Sequence, residues 1–417
     1  MAHRTANRPR SVRRSPVRDI LSFHNRSDMI SLAGGLPAYE SLPVADMARA
    51  AQRVLALHGP RALQYGTTEG YAPLRAWIAN RLCRQGLPTR ENQILITGGS
   101  QQAMDLIGRF LLQPGDIVLT TEPIYNGAIQ CFELQNAKVQ PIPTDSSGPI
   151  PDRLRSLLHP NRPCFRAGFT SLSRPTLGPE KRPALLYLLP TLGNPSGSII
   201  SEQRRSELAE IIDESAVPFL EEDPYGELFE GVRLPFIQSM TRTPGFLLGS
   251  FSKIVAPSLR IGWIRADEDR IQQLVPFKQT MDLHTNLLSQ MILHQFLSDV
   301  DLDAHIASIK SLYAERRNAM LQEIRNQNIE LTSLEAPQGG MFLWLKFPEG
   351  LNTDELARLA LEEGVAFVPG SAFFAESQKG QRFARLNFTA ADCDQIRTGI
   401  ARLKVALDRL SVDSSRG

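Results

Sequence analysis

Lys253 lies in the run Gly249-Ser250-Phe251-Ser252-Lys253-Ile254-Val255-Ala256-Pro257-Ser258-Leu259-Arg260, one lysine among hydroxyls in an otherwise apolar string, with an arginine seven residues on. A lysine in such surroundings loses hydration, so its ammonium form is disfavoured and its amine becomes available to form an imine. Ser250, Ser252 and Arg260 together make a reasonable phosphate cradle. The same string also suits a surface strand and turn with a solvated lysine, so other residues must decide. Upstream, the apolar strand pattern Gln93-Ile94-Leu95-Ile96 runs into Thr97-Gly98-Gly99-Ser100-Gln101 and then an amphipathic stretch. Free backbone amides at a helix start bind anions, and glycines let a phosphate approach the chain closely. Ser100 also suits a plain helix cap. Val217-Pro218-Phe219-Leu220 leads into Glu221, Glu222 and Asp223, followed by Pro224-Tyr225-Gly226. A carboxylate held at such a strand end can pair with a protonated pyridine nitrogen; an acidic loop after an edge strand is the other reading. Arg385, flanked by Phe383, Leu386 and Phe388, is too apolar in its setting for a solvated face. Its planar fork suits a bidentate carboxylate.

An imine-forming lysine beside a phosphate cradle meets the needs of pyridoxal phosphate (PLP). The order of glycine turn, Tyr125, Leu189-Pro190-Thr191-Leu192-Gly193-Asn194-Pro195-Ser196-Gly197, Asp223-Pro224-Tyr225, Ser250-Phe251-Ser252-Lys253 and a late arginine resembles the class I/II, fold type I, aminotransferases over nearly the whole chain. The resemblance implies that Lys253 carries the cofactor and that Asn194 and Tyr225 hold its phenolic oxygen. From the three acids it picks Asp223 as partner of the ring nitrogen. It puts the phosphate on Ser100, Gln101, Ser250, Ser252 and Arg260, stacks Tyr125 on the cofactor face, and gives Arg385 the substrate α-carboxylate. Met29-Ile30-Ser31-Leu32-Ala33-Gly34-Gly35-Leu36-Pro37 and Leu63-Gln64-Tyr65-Gly66 resemble the aminoadipate and kynurenine branch. There Gly35 lies near the substrate carboxylate, and Tyr65 reaches the phosphate of the neighbouring subunit, which implies a homodimer with shared sites.

These residues must be positioned by a large frame. The 417 residues, 42% hydrophobic, suffice for two domains around one large core. From about residue 45 to 290, apolar strands such as Ile117-Val118-Leu119 and Ala184-Leu185-Leu186-Tyr187-Leu188 alternate with amphipathic helical patterns. That alternation implies an α/β fold with a mostly parallel sheet wrapped by helices, and ligands collect at the carboxyl ends of its strands. The spacing of Ala304, Ile306, Ile309, Leu312, Tyr313, Met320 and Ile324 predicts a long helix leading to a smaller α/β domain that contains Gly339-Gly340-Met341-Phe342-Leu343-Trp344-Leu345. The expected division is a basic arm at 1–28, a large PLP-binding domain at 29–300 with an insertion loop at about 159–183, and a small domain at 301–417. The arm holds Arg4, Arg8, Arg10, Arg13, Arg14 and Arg18 with no acid before Asp19, but it lacks the apolar face of a transit peptide. A disordered or subunit-crossing arm is the expectation.

The net charge of +2 argues against nucleic acid as a partner, and no apolar run reaches membrane-spanning length. Cys83, Cys131, Cys164 and Cys393 show no paired spacing and read as reduced thiols of a cytoplasmic protein; the seven histidines form no metal-ligand pattern. No Gly-x-Gly-x-x-Gly or Walker sequence supports nucleotide binding. One departure from the family is Ser258, where a glycine is common before Leu-Arg. The reaction implied is transamination from a 2-aminoadipate-like, branched-chain or aromatic L-amino acid to a 2-oxo acid, with 2-oxoglutarate expected as acceptor. Arg18 and Arg26 are a candidate mobile cation for its distal carboxylate. Three rivals stand beside it: a PLP decarboxylase, lyase, cyclase or oxidase using the same motifs; a transcription regulator; and a non-catalytic binding protein. The second would need a DNA-binding domain, for which the roughly thirty residues before Ser31 are too few. The third conflicts with the full set of cofactor positions.

Overall fold

The computed structural model describes residues 28–159 and 182–414. The basic arm, Cys164 and nearly all of the 159–183 segment lie outside the described residues. Seven strands make the main sheet: β1 Ile94–Thr97, β2 Ile117–Thr121, β3 Lys138–Ile142, β4 Leu185–Leu188, β5 Phe219–Glu222, β6 Phe246–Ser250 and β7 Gly262–Arg265, in the order β1-β7-β6-β5-β4-β2-β3. Strands β2 to β6 pair in parallel and β7 runs antiparallel to both of its neighbours. Every residue of β1, β4 and β5 is buried, as expected of strands covered by helices on both faces. Isoleucine and leucine dominate β1 and β4, while β5 pairs Phe219 and Leu220 with two buried glutamates at its carboxyl end.

The reversed strand gathers the site. Gly262, the first residue of β7, pairs with Thr97 at the end of β1 and with Ser250 at the end of β6. One residue therefore brings the glycine turn, the serine and lysine loop and Arg260 to a single edge. Glycine is required there, because a Cβ on Gly262 would come within 2.7 Å of the Gly99 backbone.

The predicted long helix is present at Leu302–Asn326, capped by Asp301, whose carboxylate accepts from the amides of Asp303 and Ala304. Ile306, Ile309, Tyr313, Met320 and Ile324 lie buried along it, and their cluster joins the sheet core to the C-terminal part of the chain. That part holds a three-stranded antiparallel sheet, β8 Phe342–Lys346, β9 Val368–Pro369 and β10 Phe383–Asn387, with β10 in the middle. The expected boundary at residue 29 needs correction. Ile30 and Ser31 pair in parallel with Val365 and Ala366, and the Asn387 amide donates to the Leu32 carbonyl. The segment that carries Gly35 is thus fastened to the C-terminal unit, a long-range pairing with no local signal.

Candidate active site

A cavity of about 320 Å³ opens at the carboxyl edge of the sheet, beside β8 and β10. It brings together Gly35, Ser100, Gln101, Tyr125, Asn194, Tyr225, Ser250, Ser252, Lys253, Arg260 and Arg385 among the expected residues. At one end, helix α1, Ser100–Leu111, presents its N-terminus. Gly99 precedes it with a φ of +97°, a conformation natural to glycine, and a Cβ there would meet the Arg260 guanidinium. Arg260 itself takes a left-handed conformation and donates through Nη2 to the Gly98 carbonyl at 2.9 Å. Ser258 sits in the single 3-10 turn Pro257–Leu259 without a positive φ, so the glycine common at this place in the family is not needed. The hydroxyl of Ser250 donates to that of Ser252 at 2.9 Å. Helix amides, two hydroxyls and an arginine converge as a phosphate group requires.

Lys253 lies at the centre, and its Nζ donates to the Gly35 carbonyl at 2.8 Å. Burial, then Arg385 and Arg260, push the Lys253 pKa down to about 8, against the pull of Glu222. The backbone must run close here, since a Cβ on Gly35 would touch Phe342 at 2.9 Å. Asn194 donates through Nδ2 to the Tyr225 hydroxyl at 3.3 Å and accepts at Oδ1 from Nη1 of Arg385 at 2.9 Å. Burial raises the Tyr125 phenol to about 12, and its hydroxyl donates to Gln101 Oε1.

Arg385 is 3% exposed, held between the rings of Phe342 and Phe373 at 4.2 and 4.9 Å from their centroids. Its Nη2 donates to the Ala33 carbonyl, its Nε has no partner, and no carboxylate pairs with it among the described residues. Burial lowers its pKa to about 10. A desolvated guanidinium without a counter-ion is costly, and an incoming carboxylate relieves that cost.

Two expected residues stand elsewhere. Tyr65 is 77% exposed, edge-on to His284, and does not line this cavity. Asp223 is the larger correction. Its carboxylate accepts from Nη2 of Arg233 at 2.7 Å and faces a second, smaller cavity bounded by Trp77, Arg81 and Glu227. The reason is strand parity: side chains on β5 alternate, so Glu221 and Asp223 share one face and Glu222 takes the other. Glu221 accepts from the amides of Ile237 and Gln238, on the same side as Arg233. Glu222 lines the main cavity, 2% exposed, with the Tyr187 hydroxyl donating to its Oε2 at 2.6 Å. Alternation along β5 was readable in the sequence as two sets, though not which set faces the ligand.

The site fits pyridoxal phosphate: a phosphate cradle, a desolvated amine, a paired amide and phenol, and a buried guanidinium share one cavity. Across residues 27–403 the chain matches the family of aminotransferases class I and II, and it belongs to that family. It is 38% identical to a 2-aminoadipate transaminase of Thermus thermophilus, covering 96% of this chain and 95% of that one. It is likewise 38% identical to an aromatic-amino-acid aminotransferase of Thermococcus litoralis, over 94% and 91%. Among solved structures, an α-aminoadipate aminotransferase from Thermus thermophilus, complexed with N-(5'-phosphopyridoxyl)-L-leucine, superposes with a TM-score of 0.85 at 37% identity over 96% of each chain. The protein is a PLP-dependent aminotransferase of fold type I, in the aminoadipate and kynurenine branch. No helix among the described residues is long and apolar enough to cross a membrane.

Proposed function

We propose that this aminotransferase takes its amino group from a 2-aminoadipate-like, branched-chain or aromatic L-amino acid and passes it to a 2-oxo acid, 2-oxoglutarate foremost. Arg385 carries the reading: its unpaired buried guanidinium lies in the same cavity as the Lys253 amine and binds the α-carboxylate that donor and acceptor share. The names of the relatives, and the leucine adduct in the Thermus structure, support the donor classes. Leu36, Leu189 and Phe342 on the cavity wall suit an apolar side chain.

Ser100, Ser250, Ser252, Arg260 and the α1 amides would hold the phosphate, with Gln101 beside them, while Asn194 and Tyr225 would hold the phenolic oxygen and Tyr125 would cover the ring. When bound, pyridoxal phosphate supplies the electron sink that makes the substrate Cα–H acidic. Lys253 Nζ, poised at about 8, would accept the substrate's α-proton and hold it as the general acid-base group of the site. Its hydrogen bond to the Gly35 carbonyl keeps the amine over the cavity. Presented with one amino acid and no oxo acid, the loaded enzyme is expected to release one equivalent of oxo acid per site, fastest with 2-aminoadipate, leucine-type or aromatic donors. Carbon dioxide, ammonia or peroxide in its place sinks the transamination reading.

We further propose a cytoplasmic homodimer whose sites are completed by Tyr65 of the other chain. Leu63 and Tyr65, two residues apart, are 71% and 77% exposed, large side chains that a second chain could cover. Cys83, Cys131 and Cys393 are free thiols, as suits a reducing compartment. Mixing inactive Lys253→Ala protein with impaired Tyr65→Ala protein is expected to restore activity that neither has alone. A fully active monomer at assay concentration contradicts this.

A further inference from the structure

Asn194 stands on a turn that one buried arginine closes. Arg205, on the helix Glu202–Ser215, is 1% exposed and does not line the main cavity. Its Nε donates to the Ile200 carbonyl at 2.9 Å and its Nη1 to the Pro235 carbonyl at 2.8 Å. Its Nη2 donates to the Pro190 carbonyl at 2.8 Å and to the Thr191 hydroxyl at 2.7 Å. Pro190 and Thr191 precede Asn194 and Ile200 follows it, so one planar fork holds both flanks of the turn. All four partners are neutral oxygens. Burial lowers the Arg205 pKa, while Glu221 and Asp223 raise it through space. Taking a charge out of water is unfavourable, and an apolar side chain would fill this volume without it. What the guanidinium adds is a rigid set of donors in one plane.

The turn needs such holding. Leu192 has a φ of +53°, a left-handed conformation that is strained for a side-chain-bearing residue. It lies between Thr191, which Arg205 binds, and Gly193, whose amide donates to the Ser198 carbonyl at 2.9 Å. The Ile200 amide donates to the Pro190 carbonyl at 2.8 Å, so one oxygen serves both the backbone closure and Arg205. Asn194 within this turn is 6% exposed and uses both ends of its amide, Nδ2 toward the Tyr225 hydroxyl and Oδ1 toward Arg385. An amide that meets two partners in fixed directions tolerates little rotation of its backbone. Strained backbone persists only where its surroundings over-determine it, and Arg205 is the side chain that spans this turn.

We propose that Arg205 is a positioning residue for Asn194: by clamping Pro190 and Thr191 on one flank and Ile200 on the other, it aims the Asn194 amide at the phenolic oxygen of the cofactor. The inference deepens the proposed function, from which it takes the role of Asn194. A donor to that oxygen offsets negative charge beside the Lys253 imine, so losing the donor holds the imine proton more tightly. The measurement is the pH at which the bound cofactor of the holoenzyme changes colour as the imine proton leaves, a readout independent of turnover. Asn194→Ala is expected to raise that pH by about one unit, the size of one hydrogen bond to a charged group. Arg205→Lys keeps the buried charge but cannot span both flanks. It is expected to raise the same pH by roughly half a unit, a threefold change in proton affinity. The double variant is expected to shift no further than Asn194→Ala alone, because residues acting through one contact are not additive. A purely structural defect lowers the melting temperature without moving this transition. Should Arg205→Lys not fold, Thr191→Val, which deletes one of the four acceptors, carries the same comparison and is expected to shift the transition the same way. A colour change at the wild-type pH in the variant that folds, or a double variant that shifts beyond Asn194→Ala, overturns the assignment. An unmoved transition in Asn194→Ala overturns the role given to Asn194 itself and the proposal with it, so the two failures are told apart.

Discussion

Lys253→Ala is expected to reduce amino-group transfer by at least about 10²–10⁴, the range lost with a general acid-base group, and to remove the covalent anchor as well. The expectation follows from where the amine sits. An ordinary lysine is almost wholly protonated at pH 7; moving its pKa from 10.5 to about 8 leaves roughly 300-fold more neutral amine at that pH. Arginine at this position keeps the charge but cannot give up its proton, so Lys253→Arg is expected to be as inactive as the alanine variant. The depressed pKa also sets a pH signature in the cofactor-free protein. Between about 8 and 10.5 the unfolded chain binds more protons at this residue than the folded one, so stability from this group rises with pH across that window. Reconstitution with pyridoxal phosphate should accelerate up to about pH 8 and then level off. Borohydride reduction followed by peptide mapping provides the check. The label belongs on Lys253, whereas Lys278 is fully buried and paired with Asp282 at 2.7 Å. Labelling of Lys278, or turnover surviving in Lys253→Ala, contradicts the role.

What could be read from the chain, and what could not, follows the range of the interactions. The Ser250 to Arg260 loop is contiguous, and its hydroxyls, amine and guanidinium meet through local turns, so residue types and spacing could suggest it, while the other motifs were needed to decide. The glycine turn before Ser100 was legible for the same reason, whereas Asn194 entered only through the family resemblance. Arg385 and Asn194 each stood out in the sequence, but the hydrogen bond joining them depends on docking β10 against the loop after β4, 191 residues apart. Choosing among Glu221, Glu222 and Asp223 required knowing which face of β5 meets the ligand. A motif that counts positions to Tyr225 does not carry that information, whereas Arg233 and the amides of Ile237 and Gln238, which claim the other two acids, do. The pairing of Ile30 and Ser31 with Val365 and Ala366 involves two residues on each side, too short for any periodic signal. Yet it anchors the segment whose Gly35 carbonyl receives the Lys253 hydrogen bond.

Arg385→Ala is expected to lower kcat/KM for amino acids by on the order of 10²–10⁴ while pyridoxal phosphate stays bound. Hydrogen bonds to charged groups contribute roughly 1.5–3 kcal/mol each, and a two-pronged contact makes two of them. The site has prepared that contact at some cost. The guanidinium is fixed between Phe342 and Phe373, its Nη1 and Nη2 are oriented by Asn194 and Ala33, and the phosphate end of the cavity has Arg260 for its own charge. The plane of the fork is therefore set before substrate arrives, which saves ordering entropy on binding. Arg385→Lys keeps a charge but loses the fork, and is expected to fall between wild type and alanine. A comparison of substrates separates binding of the carboxylate from mere support of the cavity. If Arg385 grips that group, the alanine variant loses rate with amino acids but not with a primary amine of the same side chain that lacks the carboxylate, since that amine never used the contact. An equal loss with both compounds assigns the residue a structural role only. Near-normal kcat/KM for amino acids in Arg385→Ala removes it from substrate recognition altogether.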